Sequence, residues 1–382
     1  MIFSRHVQRA AVVLLGSLVA VAGIGLTPAE AAPNWLATRG YFNDPRATGD
    51  ASNVTRNLVI HHFDHAPAGS IVRGTTWNLT DTAISDAMVR AVNRGVTVRM
   101  IVAKANCGSA SVISVQLATL LHPTSYVRCA VGSARSAGGT MHQKSYTFSS
   151  VDATPYVTVV GSANATVEGY ADQWTDLFQF VNRKDIYQAY NSVFALQAKD
   201  KNLAKPYRSF DFNGGKGNAQ FYPVNDPTPT AADDPVHTRL TTLPKGKGTV
   251  IRVATYAMQG TRGNWLAADL IAHKKAGSRV IVLTGPPASD AIEKRLRAAG
   301  ITVTRAFDPG CREVETSNCN YIHLKLMTAT YVRGGTREYR VWTGSDNWSD
   351  ASLNSDEVSH KIAGKAPYTQ YVRFIDKIRR VC

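Results

Sequence analysis

The 382-residue chain is 44% hydrophobic, 9% aromatic and 19% charged, which excludes a disordered chain and leaves room for one large domain or two medium ones. Lys and Arg outnumber Asp and Glu by 43 to 28, a net charge of +15. That excess favours anionic partners, whether nucleic acid, an anionic lipid surface or a cell-wall polymer, and by itself does not choose among them.

The first element is a leader. Arg5 and Arg9 give a basic start, Ala10 to Leu26 is apolar, and Ala29-Glu30-Ala31 is a small-x-small cleavage signal. The pattern is that of a Sec-type signal peptide over 1–31, so the mature protein is expected to be secreted. Its removal takes Arg5, Arg9 and Glu30 away and lowers the net charge from +15 to +14. No later run is apolar enough to span a bilayer.

Next comes "NLVIHHFDHAP". His61, His62 and His65 with Asp64 would make a metal cluster only on a helix, where His61 and His65 share a face. The stretch "NLVIHHF" reads as a strand, so no metal is expected there. "AMVRAVNRGVTVRMIVA" then reads as a helix, a stop at Gly95 and a strand. Cys107 and Cys129 form the simplest local disulfide pair, and further on Cys311 and Cys319 form a second, leaving Cys382 over.

"MHQKSYTF" places His142 and Lys144 on a strand, and "YVTVVGSAN" follows with Ser162 and Asn164. "QWTD" ends in Asp176, and a helix is expected around Asp185 to Leu203. "FYPVNDPTPTAADDPVH" is rich in Pro, Asp and Thr and reads as a linker over 227–236, between halves 32–226 and 237–382.

The second half runs through the same order. "VIRVATYAMQG" takes the place of the histidine-rich stretch, and "TYAMQG" and "HHFDHA" are expected to line the substrate entrance. "LIAHKKAGSRVIVLTG" repeats helix, glycine and strand, with its stop at Gly277. "YIHLKLMTAT" brings His323 and Lys325, "REYRVWTGSDN" brings Ser345 and Asn347, and "NSDE" ends in Glu357, with Asp356 its competitor. Trp174, Trp342 and Trp348 flank the motifs and are expected in the core. Two copies of one α/β unit is the economical reading.

Side chains at i and i+2 of a strand share a face, so each His-x-Lys and Ser-x-Asn pair can point one way. Lysines, asparagines and serines together suit the spread negative charge of a phosphoryl group in its transition state. Two histidines supply one nucleophile and one acid, and neither half alone has both. The lysines stand where a cation would, so no metal or other cofactor is expected.

These residues resemble the phospholipase D superfamily, whose signature H-x-K-x4-D followed by G-S-x-N occurs twice. "HQK" with "GSAN" and "HLK" with "GSDN" match it, and the resemblance runs from roughly Asn57 to Ile375. It implies two similar α-β-α sandwich halves in a pseudo-twofold arrangement with mixed sheets. It also implies phosphodiester cleavage or exchange through a phosphohistidine without a metal, on His142, Lys144, Ser162, Asn164, His323, Lys325, Ser345 and Asn347. By analogy with relatives His142 is the nucleophile, and Asp176 and Glu357 are the acids that orient the histidines. The family's motif aspartate falls on Ser149 and Thr330 here, so a hydrogen bond can survive there but not a charge.

A monomeric phospholipase D acting on phospholipid, with peripheral contact to an anionic membrane, is the preferred expectation. A secreted metal-independent nuclease is the alternative, and an inactive protein that binds anionic ligands is the third reading.

Overall fold

The computed structural model describes residues 34–309 and 319–382. The expected signal peptide at 1–31 lies outside the described residues, and so does Cys311, the expected partner of Cys319. Cys319 is disulfide-bonded, Cys107 is bonded to Cys129 as expected, and Cys382 is free and exposed.

Residues Trp35–Cys382 form one compact unit. After the edge strand β1 (Arg39–Phe42) and helix α1 (Val54–Asp64), the first half runs β2 (Ile71–Thr76), α2 (Thr82–Asn93), β3 (Thr97–Ala103), α3 (Ala110–Thr119) and β4 (Tyr126–Ala130). It continues through β5 (Ser145–Val151), β6 (Thr154–Gly161), α4 (Val167–Ala171), β7 (Gln173–Trp174), β8 (Asp176–Phe180) and α5 (Lys184–Gln197). A hairpin, β9 (Arg208–Phe212) and β10 (Gly217–Tyr222), and helix α6 (Pro235–Thr242) lead into the second half. That half runs β11 (Val250–Thr255), α7 (Gly260–Lys275), β12 (Arg279–Thr284), α8 (Asp290–Ala298), β13 (Thr302–Arg305) and β14 (Tyr321–Ile322). It ends with β15 (Lys325–Arg333), β16 (Thr336–Gly344), α9 (Asp350–Asn354), β17 (Glu357–Ala363) and α10 (Lys365–Val381).

The two large sheets repeat one topology. Among the described residues the first is ordered β1-β8-β6-β5-β2-β3-β4, and the second β13-β12-β11-β15-β16-β17-β10-β9. From β8 to β4 and from β17 to β13 the strands correspond one for one, with parallel β2–β3–β4 matching parallel β11–β12–β13. The fold is α/β with mixed sheets in two similar halves. Sheet membership changes between β8 and β9, ahead of the linker expected at 227–236, because β10 pairs with β17. The end of that stretch is helical from Pro235, capped by Asp234, whose carboxylate accepts from the Val236 N–H.

The histidine-rich stretch is helix, not strand. Thr55, Leu58, Val59, His62 and Phe63 fall on the buried side of α1, a helical spacing that outweighs the β-branched character of "LVI". The strand equivalent to β11 is therefore β2, and "VIRVATY" corresponds to "IVRGTTW". The expected correspondence of "VIRVATYAMQG" with the histidines fails for that reason.

Each half has its own apolar core, and a third lies between them. There Phe178, Phe180 and Tyr190 of the first half meet Leu326, Tyr371 and Ile375 of the second. Trp174, Trp342 and Trp348 are all buried. This shared core fixes the halves against each other, which a site split between them requires. Among the described residues no helix is long and apolar enough to cross a membrane.

The motif-aspartate positions sit where β5 and β15 pair with β2 and β11. Ser149 Oγ accepts from the Ile71 N–H at 2.8 Å, so a hydrogen bond survives there. Thr330 Oγ1 is buried with no partner. A buried hydroxyl without a partner is costly, so Thr330→Val should be neutral or stabilising by about 1 kcal/mol in a urea melt. A clear loss of stability would mean the hydroxyl is satisfied.

Candidate active site

Two short backbone contacts between the halves bring the motifs together. β14 pairs in parallel with β7, and the His323 N–H donates to the Trp174 carbonyl at 3.0 Å. In the mirror position the His142 N–H donates to the Asp356 carbonyl at 3.0 Å, and the Asp356 N–H to the Thr140 carbonyl at 2.9 Å. Each His-x-Lys strand thus starts against the segment that follows Gly-Ser-x-Asn in the other half.

The glycines of Gly-Ser-x-Asn are required by close approach. A Cβ at Gly161 would lie 2.1 Å from the Asp176 carbonyl oxygen, and one at Gly344 would lie 2.0 Å from that of Val358. No side chain fits there.

His142 and His323 line one cleft of about 430 Å³, with Asn164 beside them. Lys144 and Lys325 are buried, and each ammonium donates to the carbonyl of its own motif histidine at 2.7 Å. The side-chain oxygens of Asn164 and Asn347 are buried without a partner.

The two histidines are held differently. His142 Nδ1 lies 2.7 Å from Glu357 Oε1, a carboxylate of the other half. His323 Nδ1 lies 3.1 Å from the Ser162 carbonyl, which can only accept, so Nδ1 carries the proton and Nε2 is left for the cleft. Asp176 does not orient a histidine. Its carboxylate accepts from Ser162 Oγ at 2.7 Å, from Tyr371 OH at 2.8 Å and from Thr343 Oγ1. Asp356, the competitor of Glu357, is taken by Arg135 Nε at 2.7 Å and by Ser133 Oγ at 2.8 Å.

Ser162 and Ser345 are fully buried and are engaged away from the cleft. Ser162 Oγ donates to Asp176, and Ser345 Oγ accepts from the Val358 N–H at 3.1 Å. Each ties its turn to the strand that begins with the acid, rather than offering a donor to phosphate.

Aromatic rings flank both histidines. Trp77 follows β2 and Tyr256 follows β11, and they pack on His142 and His323 with ring centroids 5.8 and 4.7 Å apart. Tyr256 belongs to "TYAMQG" and lines the cleft as expected. Trp77 has a readable signal in the aligned pair "TTW" and "ATY", which the match of "VIRVATY" to the histidines conceals. Tyr321, Glu168 and Asp172 complete the cleft mouth. "HHFDHA", expected at the entrance, does not line it, because that end of α1 lies against the β5–β6 turn, at the opposite end of β5 from Lys144.

Burial, with Lys144 and Lys325 close by, holds both histidines well below the usual imidazole range. Burial pushes Lys144 down to about 7, with Glu357 pulling the other way, and pushes Glu357 up to about 7. As pH rises through that region the free protein loses a positive charge and gains a negative one, while its histidines are already neutral. Dimethyl phosphate, whose own charge is constant there, should therefore bind roughly tenfold more weakly at pH 8.5 than at pH 6. A flat profile by calorimetry would show that the lysine keeps its proton.

Residues 59–197 match the family described as cardiolipin synthase, PLD-like domain. No curated protein matches the chain. Among solved structures, a phosphatidylserine synthase from Haemophilus influenzae is 11% identical, with a TM-score of 0.59, covering 86% of this chain and 84% of that one. A polyphosphate kinase from Porphyromonas gingivalis is 14% identical with a TM-score of 0.54, covering 89% of this chain, which spans 50% of that one. The Salmonella typhimurium phospholipase D family member Nuc is 16% identical, with a TM-score of 0.33 over 42% of this chain and 93% of its own. The first half thus carries a PLD-like domain, and the chain shares the fold of the phosphatidylserine synthase and the polyphosphate kinase.

Proposed function

We propose that this protein is a phosphodiesterase that cleaves or exchanges phospholipid headgroups through a phosphohistidine. His142 Nε2 attacks phosphorus, and Glu357 stabilises the positive charge that forms on the ring. His323 gives a proton to the departing headgroup oxygen, then takes one from the incoming water or alcohol. A bound phosphodiester anion offsets the lysine charges that hold His323 down, so its Nε2 can carry that proton. Lys144, Lys325, Asn164 and Asn347 balance the charge on the phosphoryl oxygens.

The cleft mouth carries the lipid reading. Trp77, Tyr256 and Tyr321 stand with Glu168 and Asp172 around it. Aromatic faces with carboxylates suit a cationic headgroup, and they oppose the next phosphate of a nucleic acid strand. An exposed apolar stripe runs along α3, away from this rim. Ile113, Leu117, Leu120 and Leu121, on and just after α3, are exposed, the last at 86%. Ser109 and Asn106, just ahead of α3, donate to the carbonyls of Leu79 and Trp77 at 2.6 and 3.0 Å. Leu120 and Leu121 stand near Thr124, which meets Thr97 at the start of β3, at the opposite end of the sheet from Trp77, so only the Ile113 end of the stripe is near the cleft. The net charge of +15 favours the second reading, a nuclease, and equally an anionic membrane. The leader pattern at 1–31 and the Cys107–Cys129 disulfide support export.

Phosphatidylcholine vesicles and plasmid DNA, each with chelator, separate the readings. Choline release without nicking is expected; nicking without choline release would replace the lipid reading with the nuclease.

A further inference from the structure

His61 and His65 lie one turn apart at the C-terminal end of α1, where Asp152 of the β5–β6 turn reaches them. The imidazole rings stack with centroids 4.0 Å apart, and His65 Nδ1 is 2.9 Å from Asp152 Oδ1. One ligand atom from each of the three falls within 4.8 Å of the others. The turn is pinned, because the Asp152 N–H donates to the His65 carbonyl at 2.8 Å. Asp64 is held by Arg90 through bonds of 2.9 and 2.8 Å, so it is engaged elsewhere. The third histidine, His62, turns inward to Gln179.

We propose that His61, His65 and Asp152 bind a divalent transition-metal ion of the zinc class. Two imidazoles and one carboxylate suit zinc, nickel or copper, whereas calcium and magnesium prefer oxygen alone. Bonds of about 2.0–2.1 Å around a tetrahedral ion need ligand atoms about 3.4 Å apart. His65 and Asp152 are 46% and 49% exposed, so side-chain rotation can close that gap. The carbonyl end of α1 adds negative potential where the cation would sit. Burial and the neighbouring His65 push His61 below the usual imidazole range, which leaves its ring ready to ligate.

The site's Asp152 stands past the far end of β5 from Lys144, about 26 Å away at strand rise. An ion there would tie α1 to the β5–β6 turn and take no part in turnover, so the inference does not depend on the proposed activity.

The test uses the full chain, stripped with EDTA and dialysed, then titrated with Zn²⁺ and with Co²⁺ for its visible bands. One equivalent should bind, and Tm should rise by about 4 °C at a hundredfold excess over Kd. His61→Ala and His65→Ala should each weaken binding at least about tenfold, and Asp152→Asn less, with apo melting unchanged. These three should leave choline release unaltered. Absence of saturable binding at one equivalent, or less than about threefold weakening in both histidine variants, overturns the site.

Discussion

His142→Asn and His323→Asn are each expected to lower turnover by roughly 10⁴-fold or more, since residues that act as a unit fail together. Folding should survive, because asparagine keeps a donor for the Glu357 carboxylate at the first position and for the Ser162 carbonyl at the second. The two variants differ in what accumulates. With a p-nitrophenyl diester the leaving group needs no acid, so His323→Asn should still form the phosphoenzyme, labelled on His142. The same label should be absent from His142→Asn. Glu357→Gln keeps the shape of the pair and removes its charge, and should cost about 10²–10⁴-fold. Label on His323 in the wild type would exchange the roles; full activity in either histidine variant would end the mechanism.

Arg262→Met should be the most destabilising single change outside the apolar cores. The guanidinium is fully buried between two carboxylates, with Asp346 Oδ1 at 2.6 Å and Asp234 Oδ1 at 2.9 Å. Removing one partner of a buried ion network leaves uncompensated charge, here two, at a cost of about 3–5 kcal/mol. For a unit of this size that is a fall in Tm of about 4–7 °C. Asp346 stands between Ser345 and Asn347, and Arg262 Nη1 also donates to the Asn347 carbonyl at 2.6 Å. Turnover should therefore fall with stability. Adding Asp234→Asn and Asp346→Asn to the variant should recover part of the stability; no recovery would place the loss in packing rather than charge.

The duplicated α/β unit, the four residues His142, Lys144, His323 and Lys325, and both Gly-Ser-x-Asn turns are legible in the residues alone. Their signals are local: strand alternation, helix period and motif spacing are all written within about twenty residues. The helical nature of α1 is legible too, in the spacing of Leu58, Val59, His62 and Phe63, but the β-branched run masks it. Which acid meets which histidine is a matter of how the halves pack. Glu357 crosses to His142 from the other half, while Asp176, its counterpart in the repeat, is consumed by Ser162, Thr343 and Tyr371. Thr343 and Tyr371 lie 167 and 195 residues from Asp176, and no spacing rule reaches across that distance. A repeat sets what each half contains; the packing of one half on the other sets which groups are left to face the substrate.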